Sequence, residues 1–293
     1  MNNFDRQYRF SAGVPGRPGF EVGSTDFPHK TALHISFSIE KSDLESANTG
    51  KITLWNLSPA QLATLNLKDC EVVLKAGYGT IMPLAFVGNI TNVVTTQDGP
   101  DTMTEIEAVD SRVALRDTYI SVSYAGVINT KKIIEDTAGQ MGVPVVFSPK
   151  AKFVDLQNGF SYVGAAKGAL KKACASSGLA WSLQNGVLQV KMPNEPISTR
   201  AFLLSAETGL IGIPKRITKA SQTPNEGNGN NTMQTAQTGW EVRYFMNAAI
   251  NVNDYVRLES KIATGNFRVS KLTIDGDNIE GEWTCTAELL EVK

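Results

Sequence analysis

Four carboxylates crowd one short stretch near the end of the chain: Asp275, Asp277, Glu280 and Glu282. Paired carboxylates can bind a cation or flank a glycosidic bond as acid and base. Here they share the stretch with Gly276 and Gly281, a composition that predicts a solvated turn, and the calcium-loop pattern is incomplete. The two histidines, His29 and His34, have no His-x-x-x-His spacing, and a zinc site needs more good ligands than this. His34 falls on the polar face of an alternating strand and reads as solvated or interfacial. The three cysteines, Cys70, Cys174 and Cys285, are far apart and odd in number, which predicts core thiols rather than a disulfide framework. A Ser-His-Asp triad has no fixed spacing, but no Gly-x-Ser-x-Gly elbow nominates a nucleophile. Gly77-Tyr78-Gly79 lacks the third glycine of a dinucleotide fingerprint and predicts a hairpin turn instead. No catalytic residue, metal or cofactor is therefore expected. What remains are aromatic anchors: Trp55, Trp240 and Phe245 are candidate interface residues, because buried aromatics dominate binding hot spots.

The elements that must carry these residues are mostly strands. Leu33, Ile35, Phe37 and Ile39 alternate with polar residues, the period of a half-buried strand. Residues 51–57 form another, and Ser58-Pro59 then opens a short helix with Leu62 and Leu65 inward. Further strands are predicted over 71–75, 84–94 and 102–110. Residues 1–30, rich in Gly and Pro, read as an extended arm or irregular strand entry.

The middle changes character. Ile133, Ile134, Thr137, Ala138 and Met141 share one face of a helix over 130–141, stopped by Gly142 and Pro144. A short strand, Val145-Val146-Phe147, follows. A second helix is expected over 161–177, with Val163, Ala166, Leu170, Ala173 and Cys174 as its inner stripe. Asn185-Gly186 between apolar runs predicts a hairpin over 179–190. Residues 112–200 thus form a small α+β insert. Residues 221–239 are rich in Asn, Gly, Thr and Gln, and cannot bury enough apolar surface to order themselves. They read as a mobile loop. From Trp240 onward the chain returns to alternating strands, with hairpin turns at Gly276 and Gly281.

The strands before residue 110 and those ending at 293 look like two copies of one unit. Strand, loop, strand, Gly-containing turn and strand recur in the same order. The division expected is a β domain over 1–111, the insert over 112–200 and a second β domain over 201–293. The fold class is α+β, mainly β. A duplicated unit lets one chain occupy two equivalent positions in a ring, which suggests an assembly part.

Composition agrees. The chain has 293 residues, 42% hydrophobic, with 28 basic and 29 acidic residues and a formal net charge of -1. No basic field invites nucleic acid. The polar N-terminus has no signal-peptide core, and no apolar run approaches the roughly 18–20 residues that span a bilayer. Synthesis in the cytoplasm without stable membrane insertion is expected.

Several segments together resemble the small baseplate hub proteins of tailed bacteriophages. Gly19-Phe20-Glu21-Val22-Gly23, the strand from Leu33 to Lys41, and Asn48-Thr49-Gly50 running into Leu57-Ser58-Pro59 carry the resemblance at one end. Gly239-Trp240-Glu241-Val242, Asn253-Asp254-Tyr255-Val256 and Gly265-Asn266-Phe267-Arg268-Val269 carry it at the other. The resemblance implies two tube-type β domains per chain. Three chains would form a pseudo-sixfold ring in the virion baseplate, joining a hexameric tail tube to a trimeric central spike around a channel. It implies a homotrimer whose partners are the tube or distal tail protein, the spike, wedge proteins and the tape measure protein, with genomic DNA passing only in transit. Two other readings fit the residues: a carbohydrate- or cell-surface-binding β module built on its tryptophans, and a cell-wall hydrolase using Glu280 or Glu282.

Overall fold

The computed structural model describes residues 5–23, 32–111, 118–219 and 237–292. It begins with a hairpin of β1 (Arg6–Gly13) and β2 (Phe20–Gly23). Strands β3 (Ile35–Ser42) and β4 (Thr49–Trp55) follow, then helix α1 (Pro59–Leu65), and then β5 (Glu71–Tyr78), β6 (Leu84–Asp98) and β7 (Asp101–Val109). The middle segment holds β8 (Tyr119–Tyr124), β9 (Ile128–Asn129), α2 (Thr130–Met141), β10 (Val145–Phe147), β11 (Asp155–Leu156) and β12 (Phe160–Ala165). It ends with α3 (Ala166–Ser176), β13 (Ala180–Gln184) and β14 (Val187–Lys191). The last stretch is β15 (Ala201–Ser205), β16 (Leu210–Lys219), β17 (Gln237–Phe245), β18 (Tyr255–Glu259), β19 (Thr264–Asp277) and β20 (Trp283–Glu291).

Local chemistry explains the boundaries. Ser58 and Gln61 form a reciprocal capping box at the start of α1, with Pro59 in the first turn. Gly142 closes α2 at φ 69°, where a left-handed residue is needed. Asn185 and Gly186 both take positive φ, so the β13–β14 turn has the twist its strands require.

A sheet of 13 strands holds both ends of the chain, in the order β16-β17-β20-β19-β3-β4-β7-β6-β5-β1-β2, with β18 on β19 and β15 on β18. Within it one pattern occurs twice. The first set runs β1-β5-β6-β7-β4-β3, and the last six strands run β15-β18-β19-β20-β17-β16. Taken in chain order, the two sets match strand for strand. The outermost pair differs: β1 is antiparallel to β5, whereas β15 is parallel to β18. β2 has no counterpart among the described residues. We call these sets the first and second units.

The match extends to single residues. Thr91 is the extra residue of a β-bulge between β6 and β7, and Ser270 is the extra residue between β19 and β20. Each hydroxyl donates to a carbonyl on the neighbouring strand, Thr91 to Glu107 and Ser270 to Glu288. These two acceptors occupy the same register position. Asp69 and Asn253 also correspond, each two residues before its strand, with φ near 61° and 69°. A bulge re-aims a strand and is a designed feature, so its recurrence marks one backbone plan used twice.

One apolar core underlies both units, from Tyr8, Phe10 and Ile35 to Ile274, Cys285 and Leu289. Phe37 meets Trp283 edge to face at 5.5 Å, and the Trp283 indole N–H donates to the Gly77 carbonyl. A second core lies between α2, α3, β13 and β14, with Ile133, Leu170 and Leu188 fully buried.

Several expectations are corrected. Residues 160–165 are a strand paired with β8, and the helix begins only at Ala166. Val163 consequently points outward, 77% exposed, because β alternation rather than helical period governs it. The N-terminal arm is a regular hairpin, since β1 pairs over its whole length with β5. The hairpin turn expected at Gly77-Tyr78-Gly79 forms, with Gly79 at φ 54° and Tyr78 bonded to Ile81, but Gly77 itself and Gly276 lie inside strands, where a Cβ would strike the Ile81 carbonyl oxygen and the Phe37 ring respectively. These glycines serve close approach rather than turns. Most of the loop expected over 221–239 lies outside the described residues, and its last three residues open β17.

Replacing Gly276 by Ala places a methyl carbon 2.2 Å from the Phe37 ring. Overpacking of this kind costs about 1–3 kcal/mol. We expect that loss of stability in urea unfolding, with no change in the far-ultraviolet circular dichroism of the folded protein.

Candidate assembly interface

The two units meet where β3 pairs with β19. Residues 271–277 of β19 lie opposite 36–42 of β3, in the register Lys271↔Ser42, Thr273↔Glu40, Asp275↔Ser38. β19 is long enough to serve two neighbours along one edge: its first half takes β18 and its second half takes β3. Its other edge takes β20.

One end of this seam is latched by the carboxylates considered above. His34 Nε2 lies 3.1 Å from both Asp277 oxygens, and its ring stacks on Trp55 at 3.8 Å. The Trp55 indole N–H donates to Asp98. Asn278 accepts from the Ile35 N–H and donates to the Leu33 carbonyl, closing the start of β3 onto the β19–β20 turn. Asp275 accepts from Ser38, and Glu282 pairs with Arg243. Asp275, Asp277 and Glu282 are thus engaged separately by different neighbours, not gathered on one ligand. Among the described residues no group of three His, Cys, Asp or Glu side chains could hold a metal ion.

The other end is a buried polar joint that also holds the middle segment. The Asp110 carboxylate accepts the backbone N–H groups of Asn185 and Gly186, and the Asn48 amide. Lys41 donates to Asn185 and Asn251. Asn253 donates to Ser182 and Gln189, and its oxygen accepts from Arg268, which pairs with Asp43. Both units and the β13–β14 hairpin therefore converge here. Burial lowers Lys41 to about 8, against the opposing pull of Asp110. Burial also lowers Lys191 to about 7, reinforced by Arg268. Burial raises Asp254 to about 6.

The same seam exists a second time, but with its halves apart. In the first unit, β6 corresponds to β19, and its first half takes β5. On that edge residues 91–98 have no strand partner among the described residues. In the second unit, β16 corresponds to β3, and among the described residues it pairs only with β17. The residues at the open ends correspond too. Asp98 holds the position of Asp277, Phe245 that of Trp55, and Gly209 that of His34. The Phe245 ring packs over Gly209 as Trp55 stacks on His34, but it remains 42% exposed.

The aromatic candidates thus fall in different places. Trp55 and Phe245 occupy equivalent positions beside the closed and the open seam. Trp240 is half-buried and packs against the core with its neighbours on β17. The polar residues of the joint carried no sequence signal, because Lys41, Asn48, Asp110, Asn253 and Arg268 each lie in ordinary strand or turn contexts.

A family model described as baseplate hub gp41 matches residues 19–275. No curated protein sequence matches the chain. Among solved structures, the chain is similar to the 43 kDa tail protein of prophage MuSo2 from Shewanella oneidensis, with a TM-score of 0.61 and 9% identity over 97% of this chain and 100% of that one. It is similar to a tail protein from Neisseria meningitidis, with a TM-score of 0.60 and 11% identity over 97% and 96%. A type VI secretion system component from E. coli, described as resembling T4 tail proteins gp27 and gp5, has a TM-score of 0.59 and 10% identity over 96% and 77%.

Lys41 and Lys191 have folded-state values below the ordinary lysine range, so the unfolded chain binds more protons near neutrality. Stability then rises with pH through the window between about 7 and 9. Above it the buried thiols of Cys174 and Cys285, pushed up to about 12, oppose the trend. We expect the urea midpoint to climb from pH 6.5 to 8.5. Replacing Lys191 by Met should raise stability at pH 7 and flatten the climb, measured by the same titration.

Proposed function

Because the chain belongs to the baseplate hub gp41 family, we propose that three copies close into a ring of six β units that joins the tail tube to the central spike. The observation that carries this reading is the open seam. Residues 91–98 of β6 offer the edge that β19 gives to β3, and β16 offers the edge that β3 gives to β19. The two surfaces differ, so they cannot pair face to face in a twofold dimer. Such head-to-tail contacts either close into a ring or run on as a filament. Two units per chain and three chains give six similar positions for a sixfold tube, and threefold symmetry for a spike.

The closed seam supplies the register of the open one. Lys271↔Ser42 becomes Asn92↔Lys219 of a neighbouring copy, and Thr273↔Glu40 becomes Val94↔Ile217. Joined in this way, the sheets run continuously around the ring, with one face on the core and the other on the channel. The solvent face carries Glu40, Glu105, Glu107, Asp275, Glu241 and Glu288. Its lysines are countered by these groups: Lys51 by Glu105 at 2.8 Å, Lys271 by Glu40 and Lys215 by Glu241. With Lys219 paired to Glu288 and Arg243 to Glu282 as well, a face whose basic groups are matched by carboxylates suits a passage that lets DNA through without holding it. Residues 1–111 and 201–293 are, in this reading, the tube-type domains, and 112–200 stands outside the ring. Trp55 and Phe245 flank its two kinds of seam.

The reading is structural rather than catalytic. Of the residues that the carbohydrate-binding and hydrolase alternatives would use, Trp55 is engaged by His34 and Asp98, Trp240 packs against the core, and Glu282 is paired with Arg243.

The test is a double variant, Val94→Cys with Ile217→Cys. Directly opposed strand residues have Cβ atoms about 4.5–5.5 Å apart, near enough for a disulfide after small adjustment. We expect a solution mass about three times 31.7 kDa and, on oxidation, covalent trimers that neither single variant forms. A species that stays monomeric at high concentration, or an unbounded ladder of polymers, would refute the closed threefold ring.

A further inference from the structure

Lys41 on β3 lies inside the buried joint, with only 1% of its surface exposed. A buried charge ordinarily needs a paired charge beside it. Among the described residues the Lys41 ammonium bonds no carboxylate. It donates instead to two side-chain amide oxygens, Asn185 Oδ1 at 2.9 Å and Asn251 Oδ1 at 3.0 Å. Asp110 and Asp254 act on it only through space. Burial therefore moves the amine down to about 8, and near that pH a good part of it is neutral and nucleophilic. An amine held against an amide in a site closed to water is arranged for acyl transfer. The amine is the nucleophile, and the amide carbon behind the bonded oxygen is the electrophile.

Of the two amides, Asn251 is the better placed. Its Nδ2 donates to the carbonyls of Ala248 and Ala249, at 3.2 and 3.4 Å, which turns Oδ1 toward Lys41. Asp254 belongs to the same turn: its Oδ2 accepts the Asn251 backbone N–H at 2.7 Å. Burial raises this carboxyl to about 6, so it can take and return a proton near neutrality. Asp110, the carboxylate beside Asn185, lacks that freedom. Both of its oxygens are already engaged, by the N–H groups of Asn185 and Gly186, the Asn48 amide and the Ser111 hydroxyl.

We propose that Lys41 and Asn251 join in a side-chain isopeptide bond, a covalent link between the first and second units made by the folded chain itself. Lys41 Nζ attacks Asn251 Cγ, the Nζ–Cγ bond forms and the Cγ–Nδ2 bond breaks. The Lys41 ammonium gives up two protons. The departing amide nitrogen takes both and leaves as ammonium. Asp254 carries protons between the two nitrogens and ends ionised, as it began. No oxidant, reductant or cofactor enters this balance. The bond ties β3 to the connection between β17 and β18, at the joint end of the β3–β19 ladder. It forms within one copy, so it stands or falls independently of the ring. Once linked, Lys41 no longer titrates, and the rise of stability with pH argued above belongs to Lys191.

The experiment is mass spectrometry of the full chain, purified, held near pH 8 and then denatured and digested. We expect an intact mass lower than that of the sequence by one ammonia, and a branched peptide that joins the Lys41 and Asn251 segments. Lys41→Arg keeps a buried cation that is no nucleophile, and should show neither signal. Asn251→Ala should show neither as well. In Asp254→Asn the link should form at least tenfold more slowly and only as the pH rises, because Lys41 must then lose its proton to solvent. A cyclic imide at Asn185-Gly186 also releases ammonia, but it leaves the two segments as separate peptides. A mass loss without the branched peptide therefore overturns the proposal. So does the full mass in a folded wild-type chain, or a branch to Asn185 in place of Asn251.

Discussion

The backbone ladder between β3 and β19 is the contact on which everything else in this molecule depends. It fuses two units into one sheet over one core, so neither unit has a boundary of its own. Each hydrogen bond in such a ladder contributes only about 1 kcal/mol net. The ladder matters because it fixes register. A slip by one residue would turn Phe37 and Ile39 away from the core and Glu40 into it. The latch at one end and the joint at the other hold that register from both sides. Gly276 reinforces it beside the latch, by admitting the Phe37 ring against the backbone.

The joint shows how the middle segment is attached. Its groups are buried and polar, an expensive choice that is tolerable only when nearly every donor and acceptor is matched. Asp110 meets two backbone N–H groups at a turn whose geometry already requires Asn-Gly. Lys41 and Arg268 are each held by side-chain oxygens from more than one part of the chain. A buried ion pair often adds less stability than an apolar contact of the same volume, and its benefit is orientation. Here a small α+β body is held at one angle to a sheet, through a contact that tolerates no alternative register.

Much of the fold is legible in the sequence because it rests on local rules. The α2 boundaries follow from an apolar stripe and a glycine stop, the β13–β14 hairpin from Asn185-Gly186, and the long strands from alternation. The order of strands around 71–110 and 255–291 also shows as a recurring pattern. What fails to show depends on distant partners. β12 looks helical because Val163 falls in phase with the stripe of α3, and only its pairing with β8 reveals a strand. Gly276 looks like a turn because glycine punctuates turns, whereas here it admits a neighbouring ring. Carboxylates near 280 look like a site because they are close in sequence, yet Asp275, Asp277 and Glu282 point to different strands. The joint is invisible for the opposite reason: its bonded partners lie up to 225 residues apart. Aromatic enrichment nominates Trp55, Trp240 and Phe245 alike, but only the register comparison puts Trp55 and Phe245 in one equivalent position.

The duplication also explains an asymmetry in how the edges are protected. An exposed strand edge invites unwanted pairing, and soluble proteins blunt it with short strands, proline, lysine or bulges. β16 carries such devices: a register break, Pro214 buried beside it, and then Lys215 and Arg216. Past its bulge at Thr91, β6 carries none in residues 92–96, which read Asn-Val-Val-Thr-Thr, a composition suited to a paired interior strand. A protein that ended its function as a single copy would have reason to guard both edges. Guarding only one leaves the pairing directional: β16 resists pairing with another β16, while β6 accepts any edge of correct register. A chain with one selective edge and one permissive edge adds copies in a single sense around an axis, which is the property a ring needs and a twofold dimer does not.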